Sequence, residues 1–238
     1  MRKQKIYYLK FIFLLLFLFC NDLSGKEKDS MLYIFHPSRY DTWDFHFLCG
    51  ASVTRLPIAI VEEEISYSPM AVVNFRLGLP VGLSFNLQFN SNYIANNGNI
   101  GVSWTFLDDK FSFAVAGKSS IWFGHLEMDA IRLKSYGLIL SPAIIAGYRT
   151  NRFLLSAEFE TQHSFFWTFS EDEKLGTLRE PWAGFGLKFN LEHPLWKNQW
   201  IAIALKLNYS KFYYQSWLSY STIDEFLLYP EIHIGFVL

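Results

Sequence analysis

The chain has 238 residues, enough for one domain with a real core, and its formal net charge of −1 leaves no electrostatic case for nucleic-acid binding. Hydrophobic residues make up 51% of it and Phe, Tyr and Trp 19%, a share that suits interfacial aromatic girdles and also fits a Phe-rich soluble sandwich. Two cysteines, Cys20 and Cys49, exclude a disulfide framework once Cys20 falls in a targeting segment, and no CxxC-type zinc pattern occurs.

Residues 1–25 read as a signal peptide. Arg2, Lys3, Lys5 and Lys10 form a basic start, Phe11 to Phe19 is an unbroken apolar run, and Gly25 offers a small residue for cleavage. The run is short for a membrane anchor. Lipidation at Cys20 is the alternative, opposed by the bulky Phe17, Leu18 and Phe19 before it. Residues 26–41 follow as a periplasmic lead-in, and 42–238 as one domain.

From there the chain alternates, segment after segment. Thr42–Thr54 sets Phe45, Phe47, Cys49, Ala51 and Val53 against Asp44, His46 and Ser52. Residues 71–78 set Val73, Phe75 and Leu77 against Asn74 and Arg76. In 83–92 the faces are Leu83, Phe85, Leu87, Phe89 and Ser84, Asn86, Gln88, Asn90. Residues 99–107, 111–123, 153–165, 182–192 and 200–213 repeat the pattern, while 136–148 is apolar on both faces around Pro142. The last strand carries Ile232, Ile234, Phe236 and Leu238 on one face and His233, Gly235 and Val237 on the other. A period of two over about ten segments of barrel-spanning length predicts an all-β fold: a transmembrane, antiparallel, up-and-down β-barrel, with 8–12 strands allowed. Twelve would need an extra strand pair within 57–67.

Connections alternate in length. Short turns fall at 78–82, 108–110, 149–152 and around His193-Pro194; longer polar loops fall at 55–69, 124–135, 166–181 and 214–225, with a shorter one at 93–98. With ten strands both ends of the domain lie on the short-turn side. The bulky apolar set overfills a lumen of this size, so it faces lipid and the small polar set faces inward.

The ending Gly235, Phe236, Leu238 resembles the C-terminal assembly signal of bacterial outer-membrane β-barrels, with Leu238 where that signal usually has Phe. The resemblance implies residence in the outer membrane of a Gram-negative-type bacterium after export, contact with its lipid and lipopolysaccharide, and engagement of the barrel-assembly machinery through the last strand. It reaches no functionally defined family.

The inward set carries Asp44, His46, Arg76, Lys118, Glu158, Glu160, Lys188, Lys206, Glu231 and His233. Charges in such a place must be paired or hydrated, so a salt-bridged filling or a narrow wet pore is expected. Closure of the first strand on the last places Asp44, His46, Glu231 and His233 together near the periplasmic end, with Arg76 close by. Two His and two carboxylates are a possible divalent-metal set; a hydrogen-bonded plug explains them equally well. At the outer rim Ser119, Ser164, His125, His163 and Glu160 invite comparison with Ser/His lipid hydrolases. Ser119 and His163 share the lipid-facing parity but lie two strands apart, too far for a nucleophile and its base. The loop acids Glu62-Glu63-Glu64 and Glu171-Asp172-Glu173 read as solvated surface. No catalytic, cofactor or metal residue is assigned. The expected role is structural, surface-binding or small-solute transport; a rim lipid hydrolase and a soluble exported barrel or lipoprotein are the alternatives.

Overall fold

The computed structural model describes residues 32–60, 66–92, 94–128, 131–150, 152–171, 173–196, 199–211, 214–216 and 225–238. The signal peptide with Cys20, the acids Glu62–Glu64 and Asp172 lie outside the described residues. Ten strands close into one antiparallel barrel: β1 (Phe45–Arg55), β2 (Tyr67–Gly78), β3 (Leu83–Ser91), β4 (Ala95–Asp108), β5 (Phe111–Met128), β6 (Ile131–Arg149), β7 (Leu154–Glu171), β8 (Glu173–Trp196), β9 (Gln199–Ser210) and β10 (Leu227–Val237). Each pairs with its neighbours in the chain, and β10 returns to β1. The ring closes on ten strands, with Arg55 of β1 paired directly with Tyr67 of β2, so no strand stands between them in the barrel.

The faces follow the alternation. Leu87, Phe89, Ile100, Val102, Trp104, Phe113, Phe159, Phe189, Ile203, Ile232 and Ile234 stand exposed on the outside, while Asn74, Arg76, Ser84, Asn90, Ser103, Glu158, Glu160, Lys188, Asn208 and His233 are buried within. A soluble barrel keeps its apolar side chains inside, so this inside-out surface is that of a transmembrane barrel. Among the described residues no helix is long and apolar enough to cross a membrane; the chain crosses with strands. In β6 the ambiguous apolar segment resolves by parity: Tyr136, Leu140 and Ile144 point out, and Ser135, Ser141 and the small Ala143 point in.

Two expected loops are strand instead. The β5–β6 ladder runs on to Met128 opposite Ile131, and the β7–β8 ladder to Glu171 opposite Glu173. These four strands hold 18, 19, 18 and 24 residues, against 9 to 14 in the other six. A crossing needs about 9–11 residues, so the surplus rises beyond the hydrocarbon. There the period of two that marks a strand fades from the sequence. At the other end, β8 continues through the expected His193-Pro194 turn to Trp196. The short hairpin before β4 is tighter than expected, because Asn92 Oδ1 accepts the N–H groups of Ile94 (2.9 Å) and Ala95 (2.6 Å) and turns the chain at once.

Candidate functional site: a strapped and belted lumen

Residues 32–44 are packed against the barrel. They cross the mouth of the barrel at the short-turn end, as a strap held by strands from around the ring. Ile34, His36, Pro37, Ser38 and Tyr40 are buried there. The anchor is Glu192 on β8. Its Oε1 accepts the N–H groups of Ile34 (2.6 Å) and Phe35 (3.1 Å), and its Oε2 that of His36 (2.8 Å). A carboxylate facing three successive N–H groups forms charge-assisted bonds, the stronger kind. From β2, Arg76 Nη1 donates to the carbonyls of Ile34 (3.0 Å) and His36 (2.8 Å), and its Nε to Ser84 Oγ (3.1 Å). The same guanidinium lies 4.4 Å from the centre of the Tyr40 ring. Asp108 of β4 accepts Arg39 N–H at 2.9 Å, and Arg149 of β6 donates to Ser38 Oγ.

Packing completes the seat. Ile34 joins Leu48, Val72, Ala202 and Val237 in an apolar cluster, with Leu32 and Phe35 against it. Gly147 on β6 is a glycine of necessity. A Cβ there would lie 2.6 Å from His36 Nε2 and 2.7 Å from Pro37 Cδ. Trp43 joins strap to barrel with φ +70°, a left-handed conformation costly for a bulky residue, and its N–H is hooked to Gly78 O at 2.9 Å. Burial shapes the strap's titration. It lowers the His36 pKa from 6.5 to about 4, helped by the nearby Arg149, and raises that of Tyr33 to about 12.

Above the strap runs a belt of charge. Glu160 Oε2 meets Lys118 Nζ at 3.2 Å, Glu160 Oε1 meets Lys206 Nζ at 2.7 Å, and Lys118 also pairs with Glu158. Glu158 stands opposite Lys188, Lys188 opposite Lys206, and Lys206 opposite Glu231. Lys188 and Lys206 would repel across the ladder, and the acids on either side offset that. Lys188 Nζ sits 3.5 Å from the centre of the Phe35 ring, so belt and strap touch. Carboxamides of Asn74, Asn86, Gln88 and Asn90 line the rest of a cavity of about 120 Å³. That holds a few waters and falls short of the ~300 Å³ or more of an ordinary ligand pocket.

Toward the far end apolar side chains gather inside the barrel. Leu56, Met70, Ala95, Trp122, Ile139, Tyr214 and Tyr229 form a second buried cluster, and the Tyr214 hydroxyl lies 3.3 Å from both Met70 Sδ and Asn90 Nδ2.

Of the expected inward charges, His46, Arg76, Glu158, Glu160, Lys188, Glu231 and His233 are buried and Lys118 and Lys206 pair with Glu160 inside, but Asp44 is exposed at the mouth and the seam cluster is not assembled. Pairing of β1 with β10 begins at Leu48 opposite Val237, which puts His233 opposite Ser52 and Glu231 opposite Thr54. His46 lies six residues or more from those partners, about 20 Å along the strand. Two separate pairs result: His46 Nε2 with Asp44 at 3.1 Å, and His233 Nε2 with Glu231 at 3.3 Å. Among the described residues no three His, Cys, Asp or Glu side chains gather to hold a metal ion. At the rim, Ser119 and His163 each stand opposite Leu140, one on either side of β6. His163 Nε2 instead meets Thr161 Oγ1 at 3.1 Å, Ser164 is half-buried, and His125 lies 3.9 Å from Glu127. Sequence reasoning missed Glu192 and the strap. The signals were present: Glu192 continues the inward parity of Lys188 and Asn190, and residues 32–40 are too rich in Tyr, Ile and Phe for a solvated linker.

No family model matches the chain, and no curated protein matches it. Solved structures do. Neisserial surface protein A is 10% identical, with 82% of this chain and 96% of that one covered at a TM-score of 0.38. The NanC porin is 10% identical over 81% and 98% at 0.42. Outer membrane phospholipase A from Escherichia coli is 10% identical over 92% and 96% at 0.36. The fold itself is given by the ring: ten antiparallel strands closed into a barrel with apolar side chains outside and polar ones within.

Proposed function

We propose that the chain is an integral barrel of a bacterial outer membrane, closed at rest, whose work is done at its tall outer side. One observation supports the reading: the strap lies across one mouth, and the Trp122–Tyr214 cluster packs side chains into the lumen toward the other. A lumen blocked twice is a poor conduit, whereas the β5–β8 wall offers an ordered surface beyond the membrane. Short turns mark the periplasmic side in barrels of this type, which points the wall outward. Lipid and lipopolysaccharide cover the exposed apolar face in this reading, and β10 serves as the segment handled by the assembly machinery. No step in the proposal is catalytic, and the Ser119–Leu140–His163 arrangement lends none. Planar-bilayer recording tests it, together with protease treatment of intact cells. The intact protein stays electrically silent across salts, and cleavage falls within β5–β8. Discrete steady conductance from the intact protein overturns the closed reading, and protection of β5–β8 in intact cells overturns the orientation.

A further inference from the structure

We propose that an open groove on the periplasmic rim, between the β4–β5 and β6–β7 turns, binds the headgroup of a membrane phospholipid through its phosphate. The inference rests on the membrane reading above. The groove measures about 800 Å³ and carries three cations, Lys110, Arg149 and Arg152. Its depth argues for lipid. Phe111 and Tyr148 face each other across the β5–β6 ladder with ring centres 5.0 Å apart, and Phe106 stacks beside Phe113 at 6.4 Å. Such outward aromatics mark the edge of the hydrocarbon. Lys110 and Arg149 are each one residue beyond that edge, at the level where lipid phosphates lie.

The groove is also prepared for an anion. Asp108, the acid that would oppose a phosphate, is already committed: it accepts Arg39 N–H at 2.9 Å and Ser112 Oγ–H at 3.2 Å and pairs with Arg149 Nη2 at 3.2 Å. Arg149 Nε is buried and makes no hydrogen bond among the described residues. Lys110 Nζ rests 5.6 Å from the centre of the Tyr148 ring, which aligns it along the rim. Thr150 Oγ1 accepts the N–H groups of Arg152 (3.2 Å) and Phe153 (2.9 Å), so the turn presenting Arg152 is fixed before any ligand arrives. Asp109 remains exposed beside Lys110, placed for the ammonium of an ethanolamine headgroup. Because Arg149 holds both groove and strap, headgroup binding and strap seating are linked.

Native mass spectrometry of the full-length barrel, from micelles doped with phosphatidylethanolamine, phosphatidylglycerol or phosphatidylcholine, tests the site. The wild type retains one phosphatidylethanolamine in preference to phosphatidylcholine. K110A/R152A lowers retention of phosphatidylethanolamine and phosphatidylglycerol about tenfold or more. D109N lowers only the phosphatidylethanolamine adduct, and K134A, at the opposite end of the barrel, changes nothing. Equal retention by K110A/R152A overturns the site, and so does an equal loss in K134A. Displacement by inorganic phosphate shows a plain anion site and also overturns it. Flotation with liposomes separates the two readings: wild type and K110A/R152A both float if the membrane reading holds, and neither does if it fails.

Discussion

Glu192 and Arg76 hold one stretch of main chain from its two sides, Glu192 by three N–H groups and Arg76 by two carbonyls. No sheet pairing supports the strap, so its seating rests on side-chain grips, these two together with Asp108 on Arg39 and Arg149 on Ser38, and on the apolar contacts of Ile34. Glu192→Gln keeps the shape and removes the charge. Bonds to a charged group are worth about 1.5–3 kcal/mol against about 0.5–1.5 for neutral ones, so the ratio of seated to released strap should fall at least about tenfold. A spin label on Leu32→Cys, in a Cys49→Ser background, reads this as a mobile signal. Arg76→Ala should act alike, and the double variant should cost less than the two singles added, because both grip the same peptide. An immobile label in both single variants would falsify the two-sided grip.

His36 makes the strap sensitive to acid. Burial, with Arg149 adjacent, lowers its pKa from 6.5 to about 4, while a released strap regains the ordinary value. Below about 6.5 the released form binds a proton that the seated form refuses until about 4. Seating is therefore at full strength above pH 6.5 and weakens as pH falls through that window, by about 3 kcal/mol in total. The groups around His36 agree: Arg149 from β6 and Arg76 from β2 repel its cation, and Asp108 from β4 compensates only in part. The Leu32→Cys label should loosen between pH 6.5 and 4, and His36→Gln should flatten that profile. A pH-independent wild type, with the strap seated throughout, would refute the linkage.

The contrast between belt and strap shows what a sequence makes legible. Lys118, Glu158, Glu160, Lys188 and Lys206 follow a period of two, a local property, so their lumenal side could be read directly. The seam could not. Whether His233 faces His46 or Ser52 depends on the stagger accumulated around ten strands, which no local pattern records. The strap has no period at all, and its anchor Glu192 is 158 residues from Ile34. Strands β5–β8 are legible where their faces alternate, and their outer ends, within 124–135 and 166–181, lack that alternation and resemble loops in sequence.

Two seals in series make a specific electrical prediction. Glu192→Ala with Arg76→Ala frees the strap but leaves Trp122 and Tyr214 across the outer end, so this variant should remain silent. Trp122→Ala with Tyr214→Ala opens the outer end above a seated strap and should be silent too. Only the four-fold variant should show steady conductance in planar bilayers. Conductance from either pair alone would mean that the other seal does not close the lumen.

Closure of the barrel turns on Gly50 and Gly235, which stand opposite each other at the β1–β10 seam. A Cβ on Gly50 would lie 2.2 Å from Ile234 O and 2.6 Å from Gly235 Cα, both main-chain atoms that cannot swing aside. A Cβ on Gly235 would lie 2.7 Å from Leu48 Cδ2, a side-chain atom that can shift more readily than main chain, although Leu48 is packed in the buried Ile34 cluster. Gly50→Ala should therefore force the seam apart, and Gly235→Ala should be milder. Overpacking of this kind costs about 1–3 kcal/mol even where side chains give way, and more where backbone must. Gly117→Ala is the matched control, since a Cβ there meets nothing within 4 Å. The shift in gel migration between unheated and boiled samples reports closure directly. It should be lost or reduced in Gly50→Ala, nearly retained in Gly235→Ala and unchanged in Gly117→Ala. A normal shift in Gly50→Ala would mean that the seam tolerates a wider spacing than the Gly50–Gly235 contact implies.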